Sequence, residues 1–365
     1  MTKLLYYNPS LVTHDANRKL QGIEKFSYLF GKIFYRHMAV IDRTGTISLP
    51  VKVKSLFPIP SFRPINKTYE QICNERALEL LRRADTLSAT IYVSWSGGID
   101  STLVLVSLLK NATNPQKENI VVLLSEESIA ENPRFYKEHV QGNLRREPST
   151  MFPYILGSKH LYVNGELNDQ LFGAQAPGDL INKYGNSIVN RPYGRNLLFD
   201  FFNANIENTE ITNFYLDMFE CVMKAAPMGI TTYFDYFWWL NFTLKWQVVA
   251  LRILSFTAER NAPNITRKYF GTNFEPFYGT DDFQLWSMNN LDKRIKDTWS
   301  TYKWPCKDII YDYTRDSDYR DTKIKRGSLY SMVMQQSAYN FMDESMRLSR
   351  EMDPAEYYNP KNDFI

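Results

Sequence analysis

The chain has 365 residues, 44% of them hydrophobic and 15% aromatic, enough to bury a sizeable core in two or three domains, or in one large domain with a smaller partner. Its 43 Lys and Arg against 40 Asp and Glu leave a formal charge of +3, which excludes the strongly basic balance of a dedicated nucleic-acid binder though not a local basic patch. Cys73, Cys221 and Cys306 are widely spaced and odd in number, and His14, His37, His139 and His160 are scattered, which argues against a disulfide framework and a zinc site and for reduced thiols in a cytoplasmic protein.

The first residues lack the apolar run of a signal peptide. "MAVIDRTGTISLPVKV" places a Gly-containing turn between two alternating runs and predicts a hairpin. "FPIPSFRPIN" is a Pro-rich connector. "TYEQICNERALELLRRAD" predicts an amphipathic helix, with Thr68 and Gln71 spaced as a capping box. From Thr90 the pattern changes. Ile91, Tyr92 and Val93 read as a short buried strand, and Leu103, Val104, Leu105, Leu108 and Leu109 suit a buried helix. A second strand is expected at Ile120–Leu124, a helix from about Pro133, and a third strand at His160–Val163. Beyond Asp179 aromatic and helical segments dominate. The greasiest of them, "YFDYFWWLNFTLKWQVVALRILSF", contains Asp235, Lys245 and Arg252, and Trp238, Phe242, Trp246 and Val249 recur at helical spacing; it predicts a core-facing helix and no membrane span. Strands alternating with helices imply an α/β fold with a parallel sheet, whose ligands sit at the carboxyl ends of the strands. The expected division is a small α+β region over 1–88, the α/β domain with its helical C-terminal part over 89–352, and a flexible tail over 353–365.

The turn Ser96-Gly97-Gly98-Ile99-Asp100-Ser101 lies between the first of these strands and its helix. It is not a Walker A loop, since no Gly-Lys-Ser/Thr closes it, and its glycine spacing is not that of a dinucleotide fingerprint. Tight glycine turns that open a helix leave backbone N–H groups pointing outward, a ready site for an anion. A chance match to Ser-Gly-Gly-x-Asp-Ser in a chain of this length is on the order of 10⁻³, too rare to set aside as an ordinary turn.

This turn resembles the pyrophosphate-binding loop of the N-type ATP pyrophosphatases, the PP-loop or adenine nucleotide alpha hydrolase-like superfamily. The resemblance implies a five-stranded, mostly parallel sheet and cleavage of ATP between its α and β phosphates, with AMP passing to a substrate oxygen. Gly97 and Gly98 would let the backbone close on the phosphates, Ser96 and Ser101 would donate hydroxyl bonds, and Asp100 would hold Mg²⁺. Adenine would stack near Trp95 and Leu124 and touch the backbone at Gly165.

A second segment, "LYVNGELNDQLFGAQ", is similar to the Gly-Glu-Gly-x-Asp-Glu-Leu-Phe-Gly run of asparagine synthetase and β-lactam synthetase. Gly165, Glu166, Asp169, Leu171, Phe172 and Gly173 match in register, while Leu167 replaces a glycine and Gln170 an acid. The resemblance implies that Asp169 binds Mg²⁺ with pyrophosphate and that Glu166 accepts a proton from the attacking amine. "EPFYGTDDFQLW" resembles the family's Pro-Phe-Leu-Asp segment, with Tyr278-Gly279 in place of Leu-Asp. "DYRDTKIKRGSLY" resembles its basic Arg-x-Lys stretch; Lys325 would neutralise phosphate charge, with Lys323 in the arginine's place.

Glutamine-using asparagine synthetases carry a cysteine directly after the initiator methionine. This chain begins Met1-Thr2-Lys3, and its leader is too short for a glutaminase domain. The expectation is an ATP- and Mg²⁺-dependent ligase taking free ammonia or a substrate amine, with a small-molecule acceptor and no membrane partner. Nucleic-acid modification, which a basic face spanning the sheet edge and the Lys323–Arg326 stretch would favour, and a non-catalytic nucleotide-binding module are the alternatives.

Overall fold

A computed structural model of the protein describes residues 3–8, 39–49, 51–173, 176–324 and 338–357. The chain divides into two compact units, Met1–Phe62 with Asp169–Ser255 and Tyr339–Ile365, and Arg63–Asn168 with Phe256–Ala338. The strands are β1 (Leu4–Tyr7), β2 (Ile91–Ser94), β3 (Ile120–Leu124), β4 (Arg145–Pro148), β5 (Leu161–Val163), β6 (Phe341–Asp343) and β7 (Leu348–Ser349). Among the helices are α1 (Tyr69–Leu87), α2 (Ile99–Asn111), α3 (Glu126–Glu131), α4 (Tyr233–Leu244), α5 (Trp246–Arg252), α6 (Trp304–Thr314) and α7 (Ser317–Thr322).

In the unit of Arg63–Asn168 and Phe256–Ala338, strands β2 to β5 form one parallel sheet in the order β4-β3-β2-β5. Its central strands are apolar because both faces are covered: Ile91, Val93, Val121 and Val122 are at most 1% exposed. The expected α/β class is therefore observed, with four strands among the described residues where five were expected. Beside β5 the fifth position holds only a bridge between Tyr162 and Phe274. The Tyr162 N–H donates to Asn273 O at 2.8 Å and the Phe277 N–H to Asn164 O at 3.1 Å. Pro276 lies between them and has no N–H to extend the ladder. Strand β4 was missed because its Arg-Arg-Glu-Pro sequence hides the pattern; it is an edge strand, where charge and proline are tolerated.

From β2 the chain adds β3 and β4 on one side, then returns to add β5 on the other. The strand order therefore reverses between β2 and β5, the place where open α/β sheets receive ligands. Helix α1 has the expected Thr68–Gln71 capping box and buries Ile72, Cys73, Ala77, Leu80 and Leu81. It packs on α2 and belongs to the sheet unit, so the chain does not divide at residue 88. After β3, Ser125 caps α3 at once, and the helix expected from Pro133 is a short turn running into a π-helix, Tyr136–Val140.

The other unit carries an antiparallel sheet in the order β1-β6-β7. The hairpin expected at residues 38–53 does not form among the described residues. The Asp42 carboxylate accepts from the N–H groups of Thr44, Thr46 and Ile47, which folds the segment onto itself. Its flanks bond elsewhere: Ile41 and Arg43 N–H reach the last carbonyls of α4, at Leu244 and Thr243, and Leu4 and Lys54 bond across to each other's segments. The single core-facing helix expected over residues 233–256 is two helices broken at Lys245, and every residue of α4 is buried. Within the expected tail Tyr357 is buried against Phe341, and its carbonyl accepts from the Lys52 N–H. No described helix is long and apolar enough to cross a membrane.

Candidate functional site

The turn Ser96–Ser101 leaves the carboxyl end of β2 and opens α2. Gly97 takes φ +77°, and a Cβ there would lie 2.4 Å from Ser128 O and 2.9 Å from Glu131 Cβ, so only glycine fits. Gly98 caps α2 in an extended conformation with no side-chain cap on the first turn. Ser96 and Ser101 pair through their hydroxyls at 2.9 Å, and the Ser96 N–H also donates to Ser101 Oγ at 3.0 Å. The loop is thus held by its own serines around an uncapped helix N-terminus, the geometry that favours a bound anion.

Asp100, in the first turn of α2, is the most heavily engaged group. Lys303 Nζ donates to both of its oxygens, at 2.6 and 2.7 Å, and Asn168 Nδ2 donates to Oδ1 at 2.6 Å. The Lys303 side chain is 1% exposed and that of Asp100 26%. An ammonium this deeply buried is tolerable only with its counter-charge in contact. Tyr278 donates its hydroxyl to Asp100 O at 2.9 Å, so the segment that begins at Glu275 reaches the loop.

Lys303 escaped sequence reasoning. It lies 203 residues from Asp100, in no periodic pattern. One signal was available: a lysine directly before Trp304-Pro305, where proline starts a helix, stands at the positive end of the dipole and needs an acid nearby.

Of the second segment, Gly165 meets the first turn directly: a Cβ on it would lie 2.9 Å from Ser101 N and 3.0 Å from Asp100 C. Glu166 is half-buried, its N–H held by Asn164 Oδ1 at 3.0 Å. Leu167 keeps a left-handed backbone at φ +78° with its side chain 1% exposed. Asp169 opens the other unit, where its carbonyl accepts from Asn241 Nδ2 at 3.0 Å; Gln170 is buried there and reaches Asn241 Oδ1 at 3.5 Å. Leu124 is half-buried at the carboxyl end of β3. Trp95 corrects an expectation. Its ring is 2% exposed, 5.7 Å from Phe135, and its indole N–H donates to Thr102 Oγ1 at 3.0 Å, so it is a core residue and no open platform for adenine. Lys325 lies outside the described residues.

Over the loop, the Tyr319 hydroxyl on α7 donates to Gly97 O at 3.2 Å. Lys323 Nζ bonds Glu131 at 2.7 Å, with side chains 11% and 13% exposed, so Lys323 is not part of a free basic face. Lys307 on α6 is buried and donates to Ser300 O at 2.6 Å; burial pushes its ammonium down to about 8.

No protein-family model matches the chain, and neither a curated protein nor a solved structure matches it.

The geometry of the site fits a phosphate group. The N-terminus of α2 lacks a side-chain cap. Among the described residues no cluster of three or more His, Cys, Asp or Glu forms a metal cage. Mg²⁺ at nucleotide sites typically takes one or two carboxylates besides phosphate oxygens, a demand Asp100 can meet. The ion would have to share Asp100 with Lys303.

Proposed function

We propose that the sheet unit binds ATP with Mg²⁺ and transfers AMP to a substrate oxygen, with release of pyrophosphate, for attack by an amine or ammonia. The activity would be that of an asparagine synthetase-like ligase. One observation carries the reading: the two glycine motifs follow β2 and β5, the strands that flank the reversal of strand order, and Gly165 packs against Ser101. In this reading the turn and the N-terminus of α2 hold the phosphates. Bound Mg²⁺ supplies charge to the leaving pyrophosphate. Asp100 would hold the ion, Lys303 would hold the Asp100 carboxylate in place, and Glu166 would take the amine proton. Incubation with Mg-ATP, candidate carboxylic acids and ammonium tests it: release of AMP and pyrophosphate dependent on the acid supports the reading, and ATP left intact with every acceptor counts against it.

A second reading, a nucleotide-binding module without catalysis, is favoured by Lys303 engaging both oxygens of Asp100. It predicts ATP binding with no turnover.

A further inference from the structure

The carboxylate of Asp100 is oriented by a chain of buried donors that begins on α1. Asn168 is fully buried and all its side-chain bonds are directional. One Nδ2 hydrogen goes to Asp100 Oδ1 at 2.6 Å, and the amide nitrogen also faces Cys306 Sγ at 3.6 Å. Its Oδ1 accepts from the Tyr69 hydroxyl. Burial raises Tyr69 well above the usual phenol range and the Cys306 thiol to about 12, so both groups keep their protons at neutral pH. Tyr69 is therefore the donor, which fixes the amide with its N–H groups toward the carboxylate. The polar atoms of this chain of bonds converge on one oxygen of the acid that faces the phosphate loop.

We infer that Asn168 and Tyr69 are positioning residues for the Asp100 carboxylate, setting how it presents its oxygens to a divalent cation carried in with a nucleoside triphosphate. The inference rests on the ATP and Mg²⁺ reading above. It makes α1, which the sequence placed in a separate N-terminal region, a functional part of the sheet unit. It also gives a role to Asn168, which sits at the variable position of the second motif between Leu167 and Asp169. Groups that orient a metal-binding side chain typically contribute about 10–100-fold to metal affinity.

The test is equilibrium binding of ATP to the full chain by calorimetry, with and without Mg²⁺, in the wild type, Asn168→Ala and Tyr69→Phe. The quantity read is the ratio of the two affinities. Loss of fold lowers both affinities together and leaves the ratio alone, whereas a misaligned Asp100 lowers the ratio. The expected result is a ratio reduced about 10-fold or more in Asn168→Ala and by a smaller factor in Tyr69→Phe. Tyr69→Phe removes one oxygen and keeps the ring, so it serves if Asn168→Ala does not fold. Ratios equal to wild type in the folded variants overturn the inference while leaving ATP binding in place. A wild type that binds no ATP with Mg²⁺ overturns the functional reading, and the inference with it.

Discussion

Leu167 offers a sharp test of the local physics, because two opposing terms act on one side chain. Its φ of +78° lies in the left-handed region, which costs a residue with a Cβ about 1–2 kcal/mol. Its side chain is 1% exposed, with Cδ1 packed 3.8 Å from where a Cβ on Gly279 would stand. Truncating a leucine so buried costs about 2–5 kcal/mol. Leu167→Ala removes the packing and keeps the strain, so it should lose stability by that full amount. Leu167→Gly removes both, and should lose about 1 kcal/mol less. At an ordinary position glycine is the worse of the two by roughly 0.5–1 kcal/mol. The expected order is therefore wild type, then glycine, then alanine, an inversion of the usual rank. Urea unfolding with the denaturant slope held common to the variants measures it. A glycine variant less stable than the alanine variant would refute the argument from strain, and one more stable than wild type would show that burial of Leu167 contributes little.

Gly97→Ala should destabilise the fold by about 2 kcal/mol or more, from left-handed strain and a Cβ 2.4 Å from Ser128 O, seen as a lower melting temperature; a melting temperature like wild type would mean the loop has other room. Asp100→Asn should abolish ATP turnover and cost about 1–3 kcal/mol of stability, since Lys303 stays buried beside an amide while Asp100 itself is partly exposed; turnover at the wild-type rate would remove Asp100 from the chemistry. Lys307 has a folded value lowered to about 8 from 10.5, so the unfolded chain binds more protons between those values and stability should rise with pH across that window, by up to about 3 kcal/mol. The neighbours that bear on it are Asp321, Cys306, Lys323 and Asp308. Lys307→Met should flatten the rise in pH-dependent unfolding; an unchanged slope would place the titration elsewhere.

The sheet was legible where burial on two faces writes an unbroken apolar run, as in Ile120–Leu124, whose bounds match the observed strand. The capping box of α1 was legible because its signal is local, Thr68 to Gln71. Strand β4 was not, because an edge strand can carry Arg145, Arg146 and Pro148 without cost. The hairpin reading of residues 38–53 failed for a local reason as well: the Asp42 side chain competes for the backbone donors a hairpin would need. At the site, the glycine turns were readable because close backbone approach admits little else. Lys303, Tyr278 and Tyr319 were not, because each reaches the loop from a distant segment, nor was Tyr69, which acts through Asn168, and a side chain's long-range partner leaves no periodic trace in sequence. Trp95 misled for the converse reason. A tryptophan beside a glycine-rich turn reads as a ligand platform, but next to Thr102 and Phe135 its ring and N–H are satisfied within the core.

The central claim is that the Ser96–Ser101 turn serves cleavage of ATP between the α and β phosphates. Chromatography of the nucleotide products after incubation with Mg-ATP, ammonium and a panel of carboxylic acids tests it most directly. The account predicts AMP and pyrophosphate in equal amounts, formed only with the acid that is adenylated and lost in Asp100→Asn. ADP and orthophosphate as the products would contradict it.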